Sequence, residues 1–326
     1  MAKRRSKRKK KQKVGGGFYT LLIMFLAFAA LITINGFYPI SSSLPTWQSI
    51  RAEVEGYLED PVVKPEQVGS VDGVVEVHFI DVGQGNCTLI KSNGSYALID
   101  GGENDQGEKV TQYLQSQGVD HLDYVVASHP HSDHIGGLDV VINQIPTTNI
   151  IMPHLEDSVV PTTKTYEDLL NAISNNGVNV IAAQMGESYD LGGGILRVVG
   201  PAAAFDDLNN SSVGIKFTYG NRRFLFTGDM ESSAEQAVLR SGENLQADVF
   251  LLGHHGSATS NDDDFLDAVG AEYYVAQVGY NNQYGHPHRE TLKKAQDRGV
   301  TLYRSDQNGT VIFKTDGTNL EVSTEK

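Results

Sequence analysis

The chain is 326 residues long, enough for one large domain or two ordinary ones with a substantial buried core, so length alone excludes little. Charge is more informative. The formal net charge is −14, yet nine of the 26 lysines and arginines fall within residues 1–17, which contain no acidic residue. The rest of the chain therefore carries a formal charge of −23, which indicates a basic tail attached to a strongly acidic body. Cys87 is the only cysteine, which excludes an intrachain disulfide.

An uncharged stretch, GFYTLLIMFLAFAALITINGFYPI, follows the basic tail. Because about 20 apolar residues cross a bilayer as a helix, we predict a transmembrane anchor over residues 18–37. The alternative is a cleaved signal peptide, whose apolar region would span only about 7–15 residues and end in an A-x-A-like site, unlike NGFYPISSS. Basic residues on the N-terminal flank alone predict a single-pass cell-membrane protein with a cytoplasmic tail, residues 1–17, and an extracellular body.

Residues 38–72 mix polar, charged, Pro and Gly residues and are predicted to form a juxtamembrane stalk. The predicted globular domain, residues 73–326, opens with two β-hairpins and continues with strands that alternate with helices, which favours helix-covered sheets in an α/β or α+β layered domain. The predicted helices are Gln106–Gln117, Thr162–Asn175, Ser232–Arg240, Asp262–Val269 and Arg289–Arg298. The predicted strands are Val74–Asp81, Asn86–Lys91, Tyr96–Asp100, Tyr124–Ala127, Ile150–Met152, Val178–Ala182, Leu196–Val199, Val213–Thr218, Arg223–Thr227, Asp248–Leu252, Tyr273–Val278 and Thr310–Lys314.

The stretch SHPHSDHIGG, residues 128–137, follows a predicted strand and concentrates side chains that bind metals. His129 and His131 are two residues apart, so both can point the same way from an extended backbone. Asp133 and His134 follow where the glycines allow a turn, so the four side chains can converge beside the end of the strand. Imidazole and carboxylate ligands suit zinc, and also manganese or iron. A solvated polar loop is the alternative, which four ligand-type residues within six positions disfavour.

Two later strands end in residues of the same kind. RRFLFTGDM ends with Asp229, and ADVFLLGHHGS ends with His254 and His255 before a Gly-Ser turn. The C-terminal ends of strands are where α/β sheets place their sites, so we expect these side chains near residues 128–137. A carboxylate such as Asp229 can bridge two metal ions about 3.5–4 Å apart, although a purely structural turn is its alternative.

Further polar residues also follow strands or begin helices. YGHPHRE places His286 and His288 before a helix, where a histidine can contact a phosphate or protonate a leaving group. The alternative is a turn histidine without a function. LIDGG places Asp100 at the end of a strand, where we expect it to orient a metal-bound histidine unless it is a plain turn residue.

With these motifs the chain resembles the metallo-β-lactamase fold superfamily, and within it the C-terminal domain of the ComEC competence proteins and their stand-alone relatives. The resemblance rests on HFIDVGQGNCTLI, LIDGG, SHPHSDHIGG, LNNSSVGIKFTYGNRRFLFTGD, LLGHHGSATS, YGHPH and YRSDQNGTVIF, which extend over residues 74–314. It implies a four-layered αβ/βα sandwich, two divalent metal ions (zinc or manganese) at one edge of the sheets, and hydrolysis by a bridging hydroxide.

The resemblance also implies a ligand set for the two ions and roles for the residues around it. The implied ligands are His129, His131, Asp133, His134, Asp229 and His254. Asp133 also orients the nucleophile, and His288 contacts the phosphate or the leaving group. Supporting or substrate-contacting roles fall to Asp100, Asn210, Ser212, His255 and His286.

The chain departs from the superfamily pattern at one ligand. Many members carry a further histidine between HxHxDH and the glycine-aspartate, whereas the only histidine from residue 135 to 228 is His154, which lies too early. An asparagine-serine stretch, Asn209 to Ser212, occupies that region instead. One metal site is therefore expected to be incompletely ligated by the protein, to be weakly occupied, or to be completed by water or substrate.

These observations predict a surface-anchored, metal-dependent hydrolase that acts on phosphodiesters. By analogy with competence proteins the substrate is extracellular DNA, but the acidic body lacks the basic patch typical of nucleic-acid binding, so small or cell-wall phosphodiesters and lactones remain alternatives.

A β-lactamase is disfavoured because this fold supports many chemistries. An alternative of another class is a catalytically weak, metal-containing binding module that partners a membrane channel. The sequence makes no prediction of oligomeric state.

Overall fold

The computed structural model describes residues 73–326. Within that range no helix combines the length and the apolar character that crossing a bilayer requires. The predicted tail, anchor and stalk, residues 1–17, 18–37 and 38–72, all lie outside the described residues.

The first sheet has eight strands in the order β15-β14-β1-β2-β3-β4-β5-β6. Strands β15 to β3 pair antiparallel, which confirms the two opening hairpins, and β3 to β6 pair parallel. Its strands are β1 (Val75–Phe79), β2 (Thr88–Ser92), β3 (Ser95–Ile99), β4 (Leu122–Val126), β5 (Thr147–Met152), β6 (Asn179–Ala182), β14 (Val311–Thr315) and β15 (Leu320–Thr324).

The second sheet has seven strands in the order β13-β12-β11-β10-β9-β8-β7. Strands β7 to β10 pair antiparallel and β10 to β13 pair parallel. Its strands are β7 (Ser188–Leu191), β8 (Gly194–Gly200), β9 (Gly214–Tyr219), β10 (Arg222–Phe226), β11 (Val249–Leu251), β12 (Tyr273–Ala276) and β13 (Thr301–Arg304).

The five predicted helices are confirmed to within two residues at each end, and three short helices join them in the described range. The helices are α1 (Gly107–Ser116), α2 (Ser132–Ile135), α3 (Leu138–Gln144), α4 (Lys164–Asn176), α5 (Ser232–Ser241), α6 (Asp263–Val269), α7 (Arg289–Arg298) and α8 (Ser305–Asn308). A 3₁₀ turn covers Gly253–Gly256.

Three apolar clusters show the layering. One lies between the sheets and includes Phe79 of β1 and Phe226 of β10, whose ring centroids are 5.9 Å apart. A second packs α1, α3 and α4 on the outer face of the first sheet, and a third packs α5, α6 and α7 on the outer face of the second. The body is therefore an αβ/βα sandwich, since each sheet buries one face against the other sheet and one against helices.

Candidate metal centre

The predicted metal-binding residues follow the C-terminal ends of parallel strands in both sheets. The HxHxDH stretch follows β4, Asp229 follows β10, and His254 and His255 follow β11. The sheets meet at this edge: the N–H of Val213, just before β9, donates to the carbonyl of Ser128 at 2.8 Å. The fold thus brings side chains from distant parts of the sequence to one edge of the sandwich.

The HxHxDH stretch is shaped by a short helix and by close packing. His131 is extended and precedes α2, and the carbonyl of Asp133 accepts from the N–H of Asn86 at 3.0 Å. The two glycines after it are needed for space, because a Cβ on Gly136 would lie 2.3 Å from Asn104 N and one on Gly137 would lie 2.3 Å from Gly101 O. Both adopt negative φ values, so tight packing rather than an unusual turn explains them.

The first group of ligand-type side chains consists of His129, His131 and Asp229, each offering an atom within 4.8 Å of the others. Nε2 of His129 lies 2.9 Å from Nδ1 of His131 and 3.7 Å from Oδ2 of Asp229. His129 and Asp229 are almost fully buried, and burial holds the pKa of His129 well below its ordinary value. A neutral His129 can therefore offer a lone pair.

The second group consists of Asp133, His134 and His255, which satisfy the same distance criterion. Nε2 of His255 lies 3.1 Å from Oδ2 of Asp133, and Nε2 of His134 lies 3.9 Å from that oxygen. His134 and His255 are buried, whereas the Asp133 side chain is 22% exposed. Asp133 is therefore the carboxylate of this group that solvent or a substrate can reach.

Asp229 lies against both groups. Its Oδ1 is 3.1 Å from Nε2 of His134 and 3.8 Å from Nε2 of His255, while Oδ2 faces His129 of the first group. Burial raises the pKa of Asp229, but the surrounding histidines, His134 foremost, outweigh burial and hold it well below its ordinary value. A buried carboxylate with one oxygen toward each group is the arrangement of a bridging ligand.

The residues present fit a metal ion. Nδ1 of His134 lies 2.9 Å from Oδ2 of Asp100, so its proton points at Asp100 and its Nε2 lone pair points at Oδ1 of Asp229. Both facing atoms are buried, and neither has a hydrogen-bond partner. Two acceptors about 3 Å apart match the edge of a coordination shell whose ligand distances are about 2.0–2.2 Å. Nitrogen and oxygen donors without sulfur suit zinc, manganese or iron.

Three carboxylates surround His134 and would stabilise a positive charge at this position. Burial lowers the pKa of His134, but the carboxylates of Asp229, Asp133 and Asp100 outweigh burial and raise it well above the ordinary value. The same excess of carboxylate charge attracts a divalent ion.

Supporting residues fix the ligand side chains from behind. Asp100 is buried and accepts from the backbone N–H and the hydroxyl of Ser128, both at 2.8 Å, besides its contact with His134. The Ser128 hydroxyl also lies 3.2 Å from Nδ1 of His129. On the other side, Nδ1 of His255 lies 3.0 Å from the carbonyl of Gln277, to which it donates. Sequence reasoning found Asp100 but missed Ser128 and Gln277; the position of Ser128 directly before His129 was the available signal.

The two adjacent histidines after β11 separate in the structure. His255 joins the second group, whereas the sequence assigned His254 as the ligand and His255 as a supporting residue. His254 lies on the other side, with Nε2 3.5 Å from Oδ2 of Asp229 and Nδ1 3.4 Å from Oε1 of Glu231. Both histidines have positive φ, 50° and 53°, in the left-handed region that is costly for non-glycine residues. This backbone turns the neighbouring rings toward different oxygens of Asp229.

His288 was predicted to contact the phosphate or the leaving group, but in the structure its ring contacts the backbone. Its Nδ1 accepts from the N–H of Ala258 at 2.9 Å, and its Nε2 lies 3.1 Å from the carbonyl of Tyr284. Both ring nitrogens are therefore engaged by the backbone. His286 lies closer to the ligands: its ring stacks with that of His255 at 6.0 Å, and its Nδ1 is buried without a hydrogen-bond partner.

Asn210 and Ser212 lie close behind the centre and make structural contacts. The side-chain oxygen of Asn210 accepts from the N–H groups of Glu231 and Ala234, each at 3.2 Å, at the start of α5. The hydroxyl of Ser212 accepts from the N–H of Asp229 at 3.1 Å. Ser212 thus fixes the backbone of the shared carboxylate.

The αβ/βα fold and the clustered histidines and aspartates at this edge define a metal-binding type of domain, and the comparisons agree. A family model described as the Metallo-beta-lactamase superfamily matches residues 80–279, so the chain belongs to this superfamily. Its fold binds metal ions, and its members are usually metal-dependent hydrolases.

Among curated proteins, the chain is 29% identical over 258 residues to ComE operon protein 3 of Bacillus subtilis (strain 168), covering 73% of this chain and 33% of that protein. It is 32% identical over 256 residues to Competence protein ComA of Neisseria gonorrhoeae, covering 77% of this chain and 33% of that protein. The resemblance to the ComEC type of domain is confirmed, and the chain spans about a third of the length of these relatives. A solved structure, CmlA, a diiron beta-hydroxylase from Streptomyces venezuelae, aligns with a TM-score of 0.48 at 15% identity, covering 71% of this chain and 52% of that one.

Proposed function

We propose that this protein is a metal-dependent phosphodiesterase that acts on DNA outside the cell. The observation that supports it best is the shared carboxylate: Asp229 turns one oxygen toward each of two His/Asp groups. The residues of the two groups would hold two divalent ions, which would supply a bound water of lowered pKa and positive charge for a phosphoryl group under in-line attack. The first group, the second group and their common Asp229 are the proposed ligands.

The protein's own residues supply positioning. Asp133 is partly exposed, and its Oδ2 is fixed by His255 at 3.1 Å, so we assign it the role of orienting the attacking water. His254 is 21% exposed beside Asp229 and is held by Glu231, which places an imidazole at the solvent side of the centre. We transfer to His286 and His254 the substrate contacts that the sequence suggested for His288, because both nitrogens of His288 are engaged elsewhere.

DNA is proposed as the substrate because the relatives with matching domains are named as competence proteins. We also propose that residues 18–37 anchor the chain in the cell membrane with its N-terminus in the cytoplasm, so that the acidic body meets DNA outside, where a membrane channel could act as partner. Protease treatment of intact cells tests this orientation: the body should be digested while an N-terminal tag on residues 1–17 survives. A protected body would contradict it.

Turnover tests the chemistry. The full chain in mild detergent, loaded with manganese or zinc, should cleave bis-p-nitrophenyl phosphate and labelled single-stranded and double-stranded DNA. Asp133→Asn should lower turnover by at least about 100-fold, since it removes the charge that orients the water. His121→Ala is the control, because His121 is partly exposed and its neighbours Asp120, Asp123 and Tyr96 belong to neither group.

The alternatives give different patterns. Cleavage of the small diester alone would move the substrate to small or cell-wall phosphodiesters. Cleavage of a lactone or a β-lactam, with no diester cleaved, would contradict the phosphodiesterase. Absence of turnover with either metal, in a protein that still binds metal, would favour the binding module.

A further inference from the structure

We propose that Tyr284, together with Tyr280, forms a stacking platform for nucleobases beside the metal centre, so that the substrate is single-stranded DNA. This inference rests on the proposed phosphodiesterase function and names its substrate class. The two tyrosines belong to the loop of residues 279–288 that follows β12.

The platform begins inside the metal centre. The His286 ring lies 6.0 Å from that of His255, with planes 25° apart, and the Tyr284 ring lies 5.6 Å from that of His286, with planes 21° apart. A series of three rings, each tilted by 25° or less from the next, therefore leads from His255, a proposed metal ligand, to the surface. A base placed on Tyr284 would continue this series and bring its neighbouring phosphodiester toward the centre.

Exposure marks the outer end of the series. Tyr284 is 55% exposed although one face packs on His286, and Tyr280 is 79% exposed. Among the described residues 73–326, they are the two aromatic members of the set of exposed large hydrophobic side chains. Exposed aromatic rings next to a candidate active site are typical of surfaces that bind flat ligands.

The loop is held in place by its own hydrogen bonds. The side-chain amide of Asn282 donates to the carbonyls of Gly279 and His286, at 3.0 and 2.7 Å, and its oxygen accepts from the N–H of His286 at 2.9 Å. The N–H of Gly279 donates to Oε1 of Gln84 at 3.2 Å. A loop fixed at both ends presents its tyrosines without a large ordering cost on binding.

Charge favours single strands over duplex. Duplex binding depends on lysines and arginines that neutralise phosphates, and the chain beyond residue 17 carries a formal charge of −23. Stacking on aromatic rings needs no cation, and it requires bases that are not already paired and stacked in a helix. The exposed tyrosines thus supply the kind of affinity that the acidic body does not.

Binding of base-bearing and abasic strands tests the proposal. The full chain in mild detergent and EDTA is titrated, by fluorescence anisotropy, with labelled oligothymidylate of about 12 nucleotides and with an abasic strand of equal length, which has the same phosphates but no bases. Oligothymidylate should bind at least about tenfold more tightly, and the ratio should persist between about 0.1 M and 0.3 M salt because stacking is not electrostatic.

Variants assign the effect to the tyrosines. Tyr284→Ala should lower the affinity for oligothymidylate about tenfold and leave the abasic strand unchanged, and adding Tyr280→Ala should abolish the remaining preference. Tyr284→Phe should retain it, and Tyr284→Leu, which keeps apolar bulk without a π-face, should lose it even if the alanine variant fails to fold. Leu170→Ala, an exposed apolar residue on α4, is the control.

Equal binding of the two strands by the wild type, or a base preference that survives in the double variant, would overturn the proposal. Tighter binding of duplex than of single strand would overturn it too. Because EDTA prevents metal-dependent cleavage, this measurement is independent of turnover. A base preference without any metal-dependent cleavage would refute the phosphodiesterase and keep the platform. Cleavage without a base preference would refute the platform and keep the phosphodiesterase.

Discussion

The first group (His129, His131, Asp229) and the second group (Asp133, His134, His255) lie on either side of one carboxylate, but the protein supports them differently. In the second group, both histidines donate their far nitrogen to a fixed acceptor, Asp100 or the carbonyl of Gln277. The first group has a weaker contact from Ser128 to His129 at 3.2 Å, and the partly exposed His254 approaches its Asp229 at 3.5 Å. The second group is therefore the more preorganised site, and we expect it to bind the tighter ion.

Replacing each of the two adjacent histidines by alanine gives the largest expected difference in metal affinity and turnover. His255→Ala should remove the tighter ion and lower diester turnover by at least about 100-fold, because it deletes a proposed ligand. His254→Ala should keep that ion and lower turnover only about tenfold. Metal affinity by isothermal titration and turnover under saturating metal check this, and equal losses in the two variants would contradict the comparison.

Asp100→Asn tests the support behind the second group. The neutral amide cannot hold the proton of His134 as a carboxylate does, so affinity for the tighter ion should fall about 10- to 100-fold. Titration with a competing chelator measures it. Asp105→Asn, an exposed aspartate nearby, should leave affinity unchanged. If the affinity for the weaker ion fell instead, Asp100 would support the first group, which would contradict the comparison.

Glu231→Gln addresses the solvent side of the first group. Oε1 of Glu231 accepts from the hydroxyl of Thr259 at 2.9 Å and faces Nδ1 of His254. The amide keeps an acceptor but loses the charge, so turnover should fall by less than about tenfold while the tighter ion is unaffected. Glu272→Gln, on the surface, is the control. A loss of the tighter ion in Glu231→Gln would show that the two groups are not independent.

His78 gives the smallest effect on the site and separates stability from metal binding. Burial lowers the pKa of His78 to about 4, although the neighbouring carboxylate of Glu76, whose own pKa lies at about 2, acts to raise it. The charges of Lys91 and Lys314 lower the pKa of His78 further. The unfolded chain takes up this proton near pH 6.5 and the folded chain only near pH 4, so stability is present above pH 6.5 and is lost as pH falls toward 4.

At pH 5 the loss due to His78 is roughly 2 kcal/mol relative to pH 7. Urea unfolding of wild type and His78→Gln at both pH values measures it. The variant should vary less with pH by about that amount and retain both metal affinities at pH 7. An unchanged pH dependence of unfolding in the variant would show that His78 does not cause this loss of stability.

Much of this architecture was predictable because its signals are local. The four helices of ten or more residues, the seven-residue α6 and the strands that carry the site were found, since their apolar periodicity coincides with deep burial; α3, also of seven residues, was missed. The strands that were missed, β7, β13 and β15, lie at the sheet edges, and most of their residues are exposed or only partly buried, so they lack that periodicity. The dense HxHxDH stretch indicated the centre because it holds four ligand-type residues within six positions.

The finer assignments depended on features that no pattern encodes. His254 and His255 follow the same strand, and only their left-handed backbone decides which ring reaches which oxygen of Asp229. His288 looked functional because it begins a helix beside Arg289, yet backbone groups engage both of its nitrogens. Whether each proposed ligand binds metal stays a prediction.

The most direct test of the account is metal stoichiometry. The full chain is stripped with EDTA, titrated with manganese or zinc and examined by native mass spectrometry, beside Asp229→Asn. We predict two ions in the wild type, a tighter one and a weaker one, and at most one ion in the variant, because Asp229 serves both groups. A wild type that never binds more than one ion, or a variant that binds two as the wild type does, would contradict a centre built on the shared carboxylate.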